Sequence, residues 1–321
     1  MNNNPDNYGF VPFPYEVKTD FVTSLSKRRG KLSGYADIEI TTVDNLYIGS
    51  GFSEFRGNCI VSQTQTIIPA SSLKGAVRQV ARASSEACIP MNKIQVPVLY
   101  NGETRIVQDH GRRVVKYEYS SPRVTENQKH HCVPKPDEDG NIQVCIVCDM
   151  FGAMSLGSKV RFTDMQAEKC SLVQLPVPQQ FSPSTATSNY WDLDDHKNAV
   201  YYGYKFYYTD CEPRDLSKNE SIEAVSKNVT FKGRVFFKDL FEKQLQLLMF
   251  SLGVGKHISL KLGGYKADGF GTVKTRCTQL MVNNKETDAK ALADKYASDN
   301  DDIISPPEMV SIKDILKYRE R

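Results

Sequence analysis

The chain has 321 residues, of which 40% are hydrophobic and 25% are charged, and its formal net charge is +3. This length and composition are typical of a folded protein with one elaborated domain or two small ones, and they exclude a largely disordered chain. Because the net charge is small, any nucleic-acid site must be a local basic patch.

The first residues show no cationic segment followed by an apolar core, so we predict no signal peptide. No apolar run reaches the roughly 18 residues of a membrane span. We therefore expect a cytoplasmic protein without a membrane partner. In that reducing compartment the eight cysteines are expected to bind metal or to be buried rather than to form disulfides.

In chain order, residues 1–33 are polar and predict an N-terminal arm. From Tyr35 apolar and polar residues alternate, which predicts a half-buried strand. After Ile67 and Ile68 a helix is predicted, with Ser71 or Ser72 as its N-cap. A basic insertion follows at about residues 90–130, and 159–164 again has the pattern of a strand.

The second half repeats this order. Residues 200–208 predict an aromatic-rich strand, and residues 229–237 predict another. A helix capped by Asp239 and ended by Gly253 follows, and a glycine-rich loop leads into a last strand. Strand, helix, strand occurring twice predicts an α+β protein with a ferredoxin-like, RRM-like split βαβ core. We predict this core at 34–282, with insertions at about 90–150 and 170–200, and a peripheral helical tail at 283–321.

A cysteine cluster has the spacing of a zinc site. Cys145 and Cys148 form a CxxC pair, Cys132 lies thirteen residues before it, and His130 and His131 precede Cys132. A CxxC turn supplies two thiolates to one ion, and a cysteine and a histidine from across the loop complete a tetrahedron. The predicted ligands of a structural Zn2+ are His131, Cys132, Cys145 and Cys148, although His130 fits as well as His131. The other cysteines, Cys88 among them, are interpreted as core or surface residues.

Two segments are suited to hold phosphates. The helix start Ser71–Arg78 offers backbone N–H groups, hydroxyls, Lys74 and Arg78. The loop Gly263–Gly271 offers glycines and a lysine. Each has a simpler interpretation: the first segment as a capped amphipathic helix with a solvated face, and the second as an ordinary turn. The predicted RNA-binding residues are Ser71, Ser72, Lys74, Arg78, Gly263, Gly264, Lys266, Gly269 and Gly271.

The order of these motifs resembles the RAMP superfamily, whose members form the backbone of type III CRISPR effector complexes. The matching motifs are the GSG turn at 49–51, IPASSLKGAVR at 68–78, CxxCxxFG at 145–152, KVRFTD at 159–164 and GGYKADGFGTV at 263–273. The resemblance implies an RRM-derived palm with a thumb-like hairpin, drawn from 90–150 or from the segment near 176–183. It further implies contacts of the helix and the glycine loop with guide RNA, pairing with target RNA, and other RAMP-fold subunits as partners.

The resemblance leaves catalysis open. Target-cleaving members have an aspartate between the GSG turn and the IPxSS motif, where this chain has Asn58 or Cys59. Glu54 is the nearest acid, and the catalytic residues are unknown. The leading hypothesis is therefore a guide-RNA-binding backbone subunit, and whether it also cuts RNA stays open. Its rivals are an endoribonuclease of the same superfamily that cleaves target RNA or processes guide RNA, and a zinc-containing protein that binds a small phosphorylated ligand.

Overall fold

A computed structural model describes residues 7–19, 21–24, 30–49, 61–62, 65–89, 94–97, 99–100, 103–120, 132, 135–178, 191–193, 199–201, 203–211, 219–307 and 309–320. The strands are β1 (Tyr8–Val11), β2 (Phe21–Ser24), β3 (Leu32–Thr42), β4 (Val61–Ser62), β5 (Gln65–Ile68), β6 (Ile94–Pro97), β7 (Leu99–Tyr100), β8 (Glu103–Thr104), β9 (Ile106–Asp109), β10 (Arg112–Val115), β11 (Tyr117–Ser120), β12 (Asn141–Val144), β13 (Val160–Phe162), β14 (Met165–Ala167), β15 (Leu172–Pro178), β16 (Trp191–Leu193), β17 (Ala199–Tyr201), β18 (Tyr204–Tyr207), β19 (Asn219–Val225), β20 (Thr230–Leu240), β21 (Leu260–Lys261), β22 (Thr272–Val282) and β23 (Lys285–Glu286). The helices are α1 (Ala70–Ala83), α2 (Ile146–Phe151), α3 (Glu242–Ser251), α4 (Ala289–Asp299), α5 (Asp301–Ile304) and α6 (Ile312–Ile315). The α+β class is thus confirmed.

One antiparallel sheet organises the described residues. Its strand order is β21-β22-β3-β20-β14-β5-β4, with β13 also on β20 and β23 also on β22. Helix α1 lies in the chain between β3 and β14, and α3 lies between β20 and β22. The predicted strands at Tyr35, 159–164, 229–237 and the last strand all belong to this sheet, whereas β18 at 204–207 pairs with β1 outside it.

The core lies between the sheet and the helices α1, α3 and α4. Strand β3 turns Ala36, Ile38 and Ile40 inward, as the period of two predicts, and all three are buried. Helix α1 buries Leu73, Val77, Val80 and Ala81 on one stripe. Helix α3 begins at Glu242 rather than at a cap on Asp239, because Asp239 still belongs to strand β20 and has a positive φ.

The arm and the tail pack on this core where they are described. Strand β1 pairs with β18, so part of the N-terminal arm docks on its own chain. In the tail, Tyr296 is completely buried and its hydroxyl donates to the carbonyl of Ser84. None of the described helices is long and apolar enough to cross a membrane.

Candidate nucleic-acid interface and metal centre

The N-terminal half of α1 and the loop after β21 face each other across a cleft of about 350 Å3. Strand β18 and Leu316 close its remaining sides. Four of the predicted RNA-binding residues lie in its lining, namely Ser71, Ser72, Gly263 and Lys266. The structure therefore brings together two segments that are almost 200 positions apart in the sequence.

The start of α1 differs from the prediction in one respect. The N-cap is Pro69, and the carboxylate of Asp164 accepts a hydrogen bond of 2.7 Å from the N–H of Ala70. A serine cap is therefore wrong, because an acid from a distant segment already stabilises the first turn. Ser71 and Ser72 consequently lie inside the helix, and their positions belong to the cleft wall.

Gly75 is the most informative residue on this wall. It lies in an α-helix, where glycine costs about 1 kcal/mol relative to alanine. A Cβ placed on it would meet no atom within 4 Å. Packing within the chain therefore gives no reason for a glycine at this exposed position, whereas a ligand that approaches the helix backbone would.

Three lysines contribute to the cleft, and sequence reasoning found only Lys266. Lys261 is 6% exposed, and its Nζ donates to the carbonyl of Tyr208 at 2.6 Å and to the Sγ of Cys211 at 3.2 Å. Burial lowers the pKa of Lys261, and burial together with the nearby Lys261 lowers the pKa of Lys266. An anion in the cleft would counter both effects, since an opposite charge favours the protonated lysine.

Lys205 reaches the cleft from β18. Its Nζ lies 3.7 Å from the ring centroid of Tyr8 and 4.8 Å from that of Tyr207. Because Tyr8 belongs to β1, the N-terminal arm helps to hold this cation in place. The amide of Asn7 donates to the carbonyl of Ala267 at 2.8 Å and so links the same arm to the glycine loop.

Lys74 and Arg78 point away from this lining. The Nζ of Lys74 donates to Ser158 Oγ at 2.9 Å, and the guanidinium of Arg78 donates to the carbonyl of Gly152 at 2.7 Å. Burial and the neighbouring Arg82 lower the pKa of Arg78. Both cations are thus used to fasten α1 to the segment after α2, and their contact with RNA stays a prediction.

In the glycine loop, the structural role of Gly263 is clear. It has a φ of +77°, and a Cβ there would lie 2.1 Å from the carbonyl of Tyr47. The loop backbone therefore needs this glycine to pass close to the segment after β3. Gly264, Gly269 and Gly271 belong to the same loop but do not line the cleft, so their contact with RNA also stays a prediction.

Four cysteine thiols meet at the other end of α1. The Sγ atoms of Cys88, Cys132, Cys145 and Cys148 lie within 4.8 Å of one another, and Cys88 and Cys148 are 3.4 Å apart. A tetrahedron of thiolates around Zn2+ would place its sulfurs about 3.8 Å apart, given Zn–S distances of about 2.3 Å. The residues present therefore fit a metal ion.

The fourth thiol comes from Cys88, which sequence reasoning had interpreted as a core or surface residue. Cys88 follows the end of α1, so no local spacing links it to the CxxC turn at the start of α2. The predicted ligand His131 and its alternative His130 lie outside the described residues. Hydrogen bonds from the other three thiols lower the pKa of Cys145, which favours a thiolate in the middle of the cluster.

A sequence model described as the RAMP superfamily matches residues 39–274, which is nearly three quarters of the chain. The chain belongs to the RAMP superfamily. Among solved structures it is similar to a chain of a "Type III-B Cmr-beta bound to cognate target RNA", determined by cryo-EM, with 14% sequence identity and a TM-score of 0.39. That similarity covers 78% of this chain but only 61% of the other, so this chain spans less than two thirds of its length. No curated protein matches.

Asp37 on β3 and Asp44 just after it are two further acids of this RAMP-superfamily chain, and the structure places both beside arginines. Asp37 accepts hydrogen bonds of 2.6 and 2.8 Å from the guanidinium of Arg234, and Asp44 is buried with its carboxylate 3.6 Å from Arg319. Both are therefore engaged with arginines. Glu54, Asn58 and Cys59 lie outside the described residues.

Proposed function

We propose that this protein is a guide-RNA-binding backbone subunit of a type III-like CRISPR effector complex, where it binds alongside other RAMP-fold subunits. The observation that carries the proposal is the cleft, in which the IPxSSLKG helix and the glycine loop of a RAMP-superfamily chain face each other with three lysines. Cations, serine positions and an uncovered helix backbone are suited to a phosphodiester chain.

The proposed mechanism is positional. Lys205, Lys261 and Lys266 would neutralise guide phosphates, while Gly75 would let the RNA backbone approach the helix. In this proposal the cations contact phosphates rather than base edges, which suits a guide whose sequence must vary. The guide bases would then stay available to pair with target RNA.

The finer features of the fold belong to the same proposal. The order β22-β3-β20-β14, with α1 and α3 as the connecting helices, supports a ferredoxin-like split βαβ core. We keep the boundaries at 34–282 for this core, with an arm before it and a tail after it. The thumb is proposed in the insertions at about 90–150 or 170–200. Residues 179–190, which include part of the second candidate, lie outside the described residues.

We further propose that the four thiols bind one structural Zn2+. Four protein ligands would leave no open position for catalysis, so the ion would stabilise the fold by joining the end of α1 to the CxxC turn. The cluster supports this, because four sulfurs within 4.8 Å of one another match the number and the type of ligands in a closed structural zinc site.

Metal analysis tests the zinc site. The purified protein should contain about one zinc per chain, and the Cys88→Ser variant should lose most of it. Cys170→Ser is the matched control, because Cys170 is a free cysteine outside the cluster. Wild-type protein without zinc would refute the site. A Cys88→Ser variant that keeps one zinc per chain would show that another residue, such as His131, is the fourth ligand.

Sequencing of the RNA that co-purifies with the tagged protein from its own host tests the function. Short RNAs of narrow length, with a constant repeat-derived 5′ segment and a variable remainder, are the expected result. Random cellular RNA would contradict guide binding. A steep loss of RNA on raising the salt concentration would separate a phosphodiester chain from a small phosphorylated ligand.

A further inference from the structure

Strand β22 has an open edge over the middle of its length. Its inner edge pairs with β3 from Val273 to Val282. On its outer edge, β21 pairs only with the first two residues, and β23 pairs only with Met281 and Val282. Within the part of the chain that the structure describes, no strand covers the outer edge of residues 274–280. Such an edge presents backbone groups that another strand can pair with.

A groove of about 590 Å3 runs along this edge. One wall is formed by the turn at residues 254–256 and by Tyr318. The opposite wall is formed by residues 286–290, which lead from β23 into α4. The floor is β22 itself, since residues 274–280 all belong to the lining. The groove is separate from the guide cleft, because the two linings share no residue.

The lining is rich in cations. Lys256, Lys274, Arg276 and Lys290 line it, against the acids Glu286 and Asp288. The Asp288 carboxylate is already used, because it accepts hydrogen bonds from the N–H groups of Lys290 and Ala291 at the start of α4. Lys290 is paired with Asp294 at 2.9 Å, whereas Arg276 has only a 4.0 Å contact with Glu39. Cations outnumber acids in the lining by four to two, so a carboxylate in the groove would lie close to positive charge.

The chain itself shows which chemistry this groove accepts. Near its C-terminus, the carboxylate of Glu320 lies 3.7 Å from Lys256, and the backbone carbonyl of Glu320 accepts a hydrogen bond from Lys274. An acidic residue of a terminal segment thus already uses two of the four cations, one through its side chain and one through its backbone. The remaining length of the edge has no such partner among the described residues.

We propose that this groove binds an extended, carboxylate-bearing segment of a neighbouring protein subunit, which adds to β22 as a further strand. The proposal rests on the proposed function, since the neighbour is a subunit of the same assembly. A peptide fits better than RNA, because the edge offers alternating N–H and C=O groups and only another peptide backbone pairs with both. The cations select acidic side chains in the added segment.

Hydrogen exchange on the tagged assembly from the host tests the added strand. Amides of residues 274–280 that point outward should exchange at least about tenfold more slowly in the assembly than in the isolated protein. Amides of Val273 and Val282, two residues that already lie between paired strands, serve as the internal control. Equal exchange in both samples would overturn the proposal. The lysines beside β22 would then serve only to prevent unwanted pairing of its open edge with other strands. Protection that disappears after ribonuclease treatment, in an assembly that still retains its neighbouring subunits, would make RNA the occupant and would also overturn it.

A charge-reversal pair gives a second, independent measurement. Lys274→Glu combined with Arg276→Glu should lower recovery of neighbouring subunits at least about tenfold, while RNA binding by the isolated variant stays unchanged. The matched control is Lys227→Glu with Lys238→Glu, which reverses two exposed lysines outside the groove. Unchanged recovery with both pairs would refute the docking site. A wild-type assembly that is recovered with its neighbouring subunits but without guide RNA would instead count against the proposed function alone.

Discussion

Gly75 shows how one residue can separate stability from binding. In an exposed helical position, alanine loses less backbone entropy on folding than glycine does. Nothing in the chain fills the space that a Cβ would occupy. The position therefore trades helix stability for an uncovered stretch of backbone on the cleft wall.

We expect Gly75→Ala to raise the free energy of unfolding by about 0.5–1 kcal/mol and to weaken RNA binding. Urea unfolding and filter binding measure the two quantities on the same preparation. Ser298→Ala, in exposed α4 outside the cleft lining, is the control, since it also raises helix propensity and should leave RNA affinity unchanged. Unchanged affinity in Gly75→Ala would mean that RNA does not approach α1 at this turn.

Lys261 carries a charge that the fold disfavours. Burial lowers its pKa, so the folded chain holds this proton less firmly than the unfolded chain does. Raising the pH through the folded pKa therefore removes an unfavourable contribution to stability. RNA binding has the opposite dependence, because phosphates favour the protonated amine.

For Lys261→Met we expect weaker RNA binding and a salt slope reduced by about one. The wild-type affinity should also begin to fall at a pH below 10.5, the ordinary lysine value, and this early loss should be smaller in the variant, in which burial still lowers the pKa of Lys266. Titrations of fluorescent single-stranded RNA at several pH values measure both effects. Lys238→Met, an exposed lysine on β20, should keep the wild-type profile. If the Lys261→Met variant showed the wild-type salt slope and pH profile of RNA binding, Lys261 would not contact RNA.

At the scale of elements, strand β1 contributes no residue to the cleft lining but pairs with β18, which does. It pairs with β18 from Tyr8 to Val11, and the ring of Tyr8 lies against Lys205. The arm therefore affects the cleft by holding Lys205 in position, and not by lining the cleft itself. A substitution of Tyr8 that keeps an apolar side chain but removes the aromatic ring separates this role from simple packing.

Tyr8→Leu should retain the strand and release Lys205, because leucine is apolar but has no ring face for the cation. A loss of about 0.5–1 kcal/mol of cation–π interaction corresponds to a two- to fivefold loss of RNA affinity. Phe13→Leu is the control, because it also removes an aromatic ring from the arm, but the ring of Phe13 packs against Tyr204 and not against Lys205. Equal affinities for both variants would show that Tyr8 does not position Lys205 for RNA.

Sequence patterns predicted what local periodicity and local spacing encode. The alternation in β3, the apolar stripe of α1 and the CxxC turn all have the predicted form. Contacts between distant segments were not predictable in this way. The Asp164 cap on Ala70, the thiol of Cys88 and the burial of Lys261 each depend on how the strands are ordered in the sheet. The one sequence feature that could have indicated a role for Lys261 in the cleft is its place directly before the glycine loop, between two leucines.

At the scale of the whole molecule, a buried ion pair joins two layers of the fold. Lys159 Nζ and Asp149 Oδ2 are 2.5 Å apart, both side chains are at most 1% exposed, and Gln244 donates to the same oxygen at 2.6 Å. Asp149 belongs to α2 and Gln244 to α3, so the Asp149 carboxylate connects the segment that carries Cys145 and Cys148 to helix α3. A buried charge without its partner would be costly.

Lys159→Met should therefore destabilise the protein by about 3–5 kcal/mol, because it leaves the Asp149 carboxylate buried without its cation. The double variant Lys159→Met with Asp149→Leu should recover much of that loss, since no charge remains buried. Chemical unfolding of the single and double variants measures the difference. Equal destabilisation in both would show that side-chain shape rather than charge decides stability here.

Helix α1 also links the two proposed sites mechanically. Its 14 residues span roughly 21 Å, with the cleft at the first turns and Cys88 just beyond the last one. Lys74 and Arg78 clamp the middle of the helix to the segment between α2 and β13. Under thermodynamic linkage, an ion that restrains one end changes the affinity at the other end, and RNA must then change the affinity for the ion by the same factor. Guide loading would in that way also determine how firmly the subunit retains its metal.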